Sequence, residues 1–375
     1  MMEERYLEDD MEAIVNTDIL YEVLSRVDGV TLATAACASS PFHSVSNNEK
    51  IWERICYRKW PSTKDPEVNA LISSLGGFRR FYGECFPLIV SRHPFVFDAS
   101  DVTLKDEEDW FDDEQDMIEE LSNTSLDDFV SIIDVVFREK PVAFRVLHGI
   151  PGASDLHGWF SSCPFRIDLL NCDGGNEDGI MISEDLPEVV SIERERKDGR
   201  LWKAIWEDIE VSWIVINKRT KQMANFASPR PLTGQRHWPS DNEFSLRFGS
   251  ILPAHEWLSP KVVQCDVILK CKLLCDFGQS NMKSKSSLVI NELSMQLEDM
   301  AGAHLNGRHS LLALKSALNC HKSTNHQKVL KSYGQYIRAQ SELKEEKLKN
   351  EGSVDTICII CAIIVCISFL FFSLV

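Results

Sequence analysis

NTDILYEVLSRVDGVTLATAACASSPFHSVSNNEKIWERICYRKW, Asn16 to Trp60, packs three helical signals into one short run. Thr17 is placed to cap the first helix, and Asp18 puts negative charge in its first turn, where the helix dipole favours it. Ile19, Leu20, Val23, Leu24 and Val27 then form one broad apolar stripe. Asp28-Gly29 reads as its stop, with Gly29 suited to a left-handed C-terminal position. Thr31 opens a second helix with Leu32, Ala35 and Ala36 on its inner face. Pro41 prevents that helix from continuing. After Asn47-Asn48 a third helix carries Ile51, Trp52, Ile55 and Cys56 on one side, and Pro61 closes it. The run holds more apolar residues than so small a unit can bury, which predicts a segment that docks onto another protein.

The residues Asp18-x-Leu20-x-Glu22-Val23-Leu24-Ser25-Arg26-Val27, Leu32-x-x-Ala35-Ala36-Cys37, Phe42 and Ile51-Trp52 resemble an F-box in its plant form. Trp52-x-x-x-Cys56-x-Arg58-x-Trp60-Pro61 is similar to the segment that often follows the box in plant members. Val15-Asn16 stands where the family usually has Leu-Pro, and Phe42 where many members have Trp. The resemblance implies a non-catalytic role: helices that bind a Skp-family adaptor and, through it, a cullin-based ubiquitin ligase, while the rest of the chain selects a substrate protein. Helix packing of an apolar face would carry the contact. The candidate adaptor-binding residues are Ile19, Leu20, Val23, Leu24, Leu32, Ala36 and Trp52, with Trp52 as the expected hot spot.

The chain has 375 residues, room for two or three folded units. Its formal net charge of −17 argues against a nucleic-acid partner, which would need a basic face. The acidic N-terminus, MMEERYLEDDMEA, has no apolar core and is not a signal or transit peptide. The twelve cysteines have irregular spacings and read as reduced, buried thiols.

The C-terminal run ICIICAIIVCISFLFFSLV, from Ile357 to Val375, holds neither charge nor proline. At about 1.5 Å per residue it spans roughly 28 Å, close to the thickness of a bilayer's hydrocarbon. It predicts a single membrane-spanning tail anchor, with Lys344, Lys347 and Lys349 on the cytosolic side of an endomembrane. Cys358-x-x-Cys361 inside it is no metal motif, because thiolates would sit in hydrocarbon.

Between the two ends, an acidic stretch at 101–124 reads as a solvated linker. From Leu126 the pattern turns to period two. Ile132–Phe137 and Val142–Val146 read as a hairpin turned at Arg138-Glu139-Lys140, and Val211–Ile216 as a further strand. Phe244, Leu246 and Phe248 alternate with polar residues, as do Val263, Cys265, Val267, Leu269, Cys271, Leu273 and Cys275. A register change in the next strand predicts a bulge at Asn291-Glu292. Ser310 is placed to cap a helix carrying Leu311, Leu314 and Leu318.

The expected fold is thus α+β: an N-terminal helical F-box (11–60), a helical extension (61–100), an acidic linker (101–124), an antiparallel β-sandwich-like substrate-recognition domain (125–320), a helical stalk (321–355) and a transmembrane helix (356–375). The phrases Ser212-Trp213-Ile214, Arg236-His237-Trp238 and Leu305-Asn306-Gly307-Arg308 are similar to a plant F-box group with this arrangement. No glycine-rich phosphate loop, G-x-S-x-G, H-E-x-x-H or zinc-type cysteine spacing occurs, so no enzyme, metal or cofactor is expected. His148, Asp155 and His157 read as loop residues. Trp159, Trp202, Trp206, Trp213 and Trp238 leave open a lectin-like, membrane-tethered binding module whose box no longer recruits a ligase.

Overall fold

The computed structural model of the chain describes residues 17–90, 125–150, 163–169, 181–182, 200–236, 243–253, 262–276 and 285–374. The Val15-Asn16 departure and the acidic linker lie outside them.

Six helices open the described chain: α1 (residues 17–24), α2 (Gly29–Ala35), α3 (Ser40–Ser46), α4 (Glu49–Lys59), α5 (Pro66–Ser74) and α6 (Gly77–Cys85), with a 3₁₀ turn at Pro61–Lys64. Proline falls in the first turn of α3, of α5 and of the 3₁₀ turn, where a missing N–H costs nothing. Asp28 and Gly29 start α2 instead of ending α1. Asp28 Oδ1 accepts the N–H groups of Val30 and Thr31, each at 2.9 Å, and Oδ2 accepts the Thr31 hydroxyl at 2.8 Å. An aspartate offering two oxygens to three donors outcompetes Thr31 as the cap. Gly76 and Gly77, both at positive φ, reverse the chain into α6.

Among the described residues twelve strands follow in two sheets. The first has the order β12 (Lys322–Ser323), β1 (Leu88–Ile89), β7 (Gln222–Asn225), β6 (Ile209–Asn217), β2 (Phe129–Phe137), β3 (Lys140–His148). All neighbours pair antiparallel except β1 with β7. The second has the order β4 (Arg166–Asp168), β11 (Lys285–Glu298), β10 (Val262–Asp276), β9 (Glu243–Pro253), β8 (Thr233–Arg236), with β5 (Met181–Ile182) also on β11. The expected bulge is present: Lys270 faces Glu292 and Cys271 faces Ile290, so Asn291 is the extra residue of the bulge. Helix α7 (Arg200–Asp208) leads into β6, and α8 (Gly307–Leu318) packs into the sandwich through Leu311, Leu314 and Leu318. Asn306, not Ser310, caps α8, accepting the His309 N–H at 2.9 Å; Ser310 is buried in the helix's second turn.

The sandwich core joins Ile133, Val135 and Trp213 of the first sheet to Leu246, Phe248, Cys265, Val267 and Met295 of the second. The cysteines of β10 are core thiols: burial pushes Cys265 well up and Cys271 up to about 12.

The first sheet is apolar on its other face too. Val130, Ile132, Ile214, Ile216 and Met223 share one core with Leu32, Ile51, Ile55, Trp60, Ile72 and Phe81 of the helices. Polar contacts cross the same seam. Asp134 of β2 is buried and accepts the Ser62 N–H at 2.8 Å and its hydroxyl at 2.5 Å. Lys59 pairs with Glu210 at 2.7 Å, Arg80 donates to the Lys221 carbonyl at 2.9 Å, and His148 lies 3.3 Å from Glu67.

Helix α9 (His326–Leu374) replaces both the expected stalk and the expected spanning tail. Its first half does not stand off the sandwich. Val329, Tyr336 and Ala339 are buried, and the Tyr336 hydroxyl donates to the Asp299 carbonyl at 2.9 Å. The transmembrane helix over 356–375 is overturned: among the described residues no helix is long and apolar enough to cross a membrane. The apolar run ends a longer helix with a polar first half. The single-pass, cytosol-facing endomembrane placement and the membrane contact through 357–375 lose their support with it. The fold class is α+β, helices followed by sheets, with no membrane-spanning helix among the described residues.

Burial raises the Asp134 carboxyl to about 6, the Ser62 bonds opposing. The folded chain therefore holds an extra proton here between about pH 4 and 6. That stabilisation is full below the unfolded value and is lost as pH rises through the folded one. In Asp134→Asn the urea midpoint should fall less than wild type between about pH 4 and 7, by the equivalent of roughly 2–3 kcal/mol. Parallel pH profiles for the two proteins would show that Asp134 ionises normally.

Candidate docking surface

The first two helices carry apolar side chains that nothing in the described chain covers. Ile19 is 57% exposed, Val23 54% and Val30 42%. Ile19 and Val23 are one helical turn apart on α1, so they share a face. Leu20 and Ala36 are half-buried. Large exposed aliphatic residues are costly to leave in water, roughly 1.5–3 kcal/mol each when the comparison is full burial. Around them the surface is charged: Glu22 and Arg26 form an exposed i,i+4 pair at 3.3 Å.

The remaining expected contact residues point inward. Leu24, Leu32 and Trp52 are buried, Trp52 at 4% exposure. The Trp52 indole N–H donates to the Ser46 carbonyl at 2.7 Å, which ties α4 to the end of α3. Its ring lies 5.3 Å from that of Tyr82. Tyr82 is the hub beneath α1 and α2, stacked on Phe86 at 4.8 Å and tilted against Trp60 at 5.7 Å. Burial pushes its hydroxyl well above the usual range. Trp60 meets Phe81 edge-on at 5.3 Å. Arg58 donates to the Val27 carbonyl at 3.2 Å, and Glu49 Oε2 accepts the Phe78 N–H at 2.9 Å, capping α6 from α4. These contacts hold α1 and α2 against a framework of α4 and α6.

Gly29 is where the framework comes closest. A Cβ built there would lie 2.3 Å from Tyr82 Cζ, with no backbone strain involved. The glycine signal in the sequence was right in place but concerns close approach, not a left-handed turn.

Val30 is the exposed aliphatic residue beside the candidate contacts that sequence reasoning missed. With α2 starting at Gly29, Val30 falls on the side opposite Leu32. Among the described residues no group of His, Cys, Asp and Glu is arranged to hold a metal. His148 lies against Glu67, whereas Asp155 and His157 lie outside the described residues. Of the tryptophans weighed for sugar stacking, Trp213 is fully buried. Trp202 stacks on buried Phe244 at 5.6 Å beside Trp206, and Trp159 and Trp238 lie outside the described residues.

Comparison with known proteins finds similarity to plant F-box proteins. It is 25% identical to F-box protein At2g27310 of Arabidopsis thaliana over 94% of this chain and 93% of that protein. It is 27% identical to F-box protein At3g44326 of the same plant over 81% of this chain and 73% of that one. A shorter match, 39% over 67 residues, joins it to F-box protein GID2 of Oryza sativa subsp. japonica, covering 17% of this chain and 32% of that protein. No family model matches, and no solved structure matches. The relatives are plant F-box proteins, and At2g27310 aligns with both the helices and the sheets.

Gly29→Ala should destabilise the chain despite alanine's better helix propensity, because Tyr82 is held by three other rings. A loss of about 1–3 kcal/mol is expected from overpacking. Ile19→Asp should stay within about 0.5 kcal/mol of wild type, as an exposed position does. Thermal melts of the two variants check both; equal melting of Gly29→Ala and wild type would remove Tyr82 from its position under α2.

Proposed function

We propose that this chain is a substrate receptor of a Skp–cullin ubiquitin ligase and performs no chemistry itself. The exposed apolar face of α1 and α2 docks onto a Skp-family adaptor, and the β-sandwich behind it captures the protein to be modified. The exposure of Ile19, Val23 and Val30 carries the reading, because these aliphatic side chains lie in the segment that resembles an F-box. Full-length similarity to plant F-box proteins supports it.

In this reading the candidate contacts divide by task. Ile19, Leu20, Val23, Ala36 and Val30 meet the adaptor. Leu24, Leu32 and Trp52 act through the helices they hold, so Trp52 is a positioning residue. Association would bury the exposed aliphatic surface and release its water, the main favourable contribution. The rim pair Glu22–Arg26 would affect encounter rate and salt dependence more than affinity.

Co-expression with a plant Skp-family adaptor and gel filtration tests the proposal. Wild type should co-elute with the adaptor, and through it with a cullin. Ile19→Asp combined with Val23→Asp should weaken the association about a hundredfold or more, since each places an unpaired carboxylate in a desolvated contact. Both positions are exposed, so the fold is retained. Absence of a wild-type complex, or an undiminished complex with the double variant, would sink the reading.

A further inference from the structure

We infer that the free edge of β3 is a docking strand for an extended segment of a partner protein, one that alternates apolar and acidic residues. The inference deepens the substrate-receptor reading by naming a surface and a class of substrate segment for it.

β3 ends the first sheet, and among the described residues its strand partner is β2 alone. The backbone direction is fixed by one bond: the Gly149 N–H donates to the Phe129 carbonyl at 2.8 Å, beside the facing pair Val130 and His148. That pair is therefore a non-hydrogen-bonded one, and the pattern alternates from it. Leu147, Arg145 and Ala143 bond to β2. His148, Val146 and Phe144 turn their N–H and C=O groups to the open side. Sheet edges are commonly blunted by proline, a bulge or an inward charge. Here Pro141 and the register shift at Val135/Val136 both lie at the hairpin end. From Phe144 to His148 the edge is regular and, among the described residues, open to strand addition.

The side chains define what would pair there. Phe144 faces Asp134 across the strands, on the side of the helices, and is 49% exposed. Arg145 faces Ile133, on the inter-sheet side, and lies over an apolar cleft formed with Ala143, Leu169, Ile290 and Leu293. It is exposed and makes no ion pair among the described residues. An added strand would place alternate residues beside Phe144 and beside Arg145. The first set is matched by apolar side chains and the second by carboxylates.

Charge points the same way. The hairpin from Arg138 to His148 carries Arg138, Lys140 and Arg145 against Glu139, in a chain of net charge −17. The nearby acids already have partners: Asp208 lies 2.7 Å from Arg138, and Glu67 3.3 Å from His148. At Arg145, which makes no ion pair among the described residues, a basic partner strand would be repelled, whereas an acidic one would pair with it.

A capped, fluorescent peptide alternating glutamate and valine, titrated onto the full chain and followed by anisotropy, tests this. Wild type should bind it in preference to the lysine–valine counterpart. Val146→Pro removes an outward N–H without touching the β2 ladder, and should weaken binding about tenfold or more. Phe144→Ala should weaken it too, and Arg145→Glu should shift preference toward the lysine–valine peptide. If Val146→Pro fails to fold, a probe N-methylated at alternate residues removes the same bonds from the ligand side and should bind as weakly. No binding by wild type, equal binding of both peptides, or binding indifferent to Val146→Pro, or to the N-methylated probe where that variant fails to fold, would overturn the inference. So would sedimentation showing that β3 joins two copies of this chain. Adaptor binding measured on the same samples separates the two readings. Its loss with peptide binding retained sinks the receptor alone, and the converse sinks the edge alone.

Discussion

The structure depends on the first sheet having two apolar faces. Ile133, Val135 and Trp213 look into the sandwich, while Val130, Ile132, Ile214 and Ile216 look out of it. A sheet apolar on both sides must be covered on both. The second sheet covers one face and the N-terminal helices cover the other. The helices are therefore not an appendage on a linker but the outer layer of a three-layer body. Asp134 and Ser62 add a directional contact to that seam: a buried carboxyl needs its donors in place, which resists sliding of helices over sheet.

That burial separates stability from docking within a small helical unit. Trp52, Tyr82, Trp60 and Phe81 spend their area inward, on α4 and α6. The outward residues on α1 and α2 are aliphatic and contribute little to the fold. A face so made can be changed without unfolding the chain, whereas the same change at Gly29 or Leu32 reaches the core.

Much of this was legible in the sequence, and the failures share a cause. The helical stretch, the hairpin at Arg138-Glu139, the β10 alternation and the bulge at Asn291 follow from local periodicity, which the fold left undisturbed. The runs FVSIIDVVF and IEVSWIVIN carried the signal of two-faced burial, being continuous instead of alternating. What covers the second face is a nonlocal fact that no window contains. The candidate docking face was half legible for the same reason: a stripe on one helix shows which residues are apolar, not which side the core will take. Trp52 has the size of an interface anchor, but the indole bond to Ser46 and the Tyr82 ring turn it inward. The C-terminal run ends a longer helix whose earlier turns are polar outside and packed inside, and among the described residues no helix is long and apolar enough to cross a membrane.

Closure of the chain makes these parts interdependent. β1 leaves α6 and enters the first sheet between β7 and β12, so the exit of the helical unit is held by the strand that precedes α9. Lys322 of β12 donates to the Met223 carbonyl at 2.7 Å and pairs with Glu84 of α6 at 2.5 Å, joining C-terminal strand, central sheet and last docking-unit helix in one contact. Residues far apart in the chain thus fix the angle between α1–α2 and the sandwich. A substrate strand on β3 would lie in the same sheet whose other face seats the helices. Its distance from the docking surface would then be set by a packed core, not by a tether, and a receptor that must hold one protein at a defined position relative to another needs that kind of constraint.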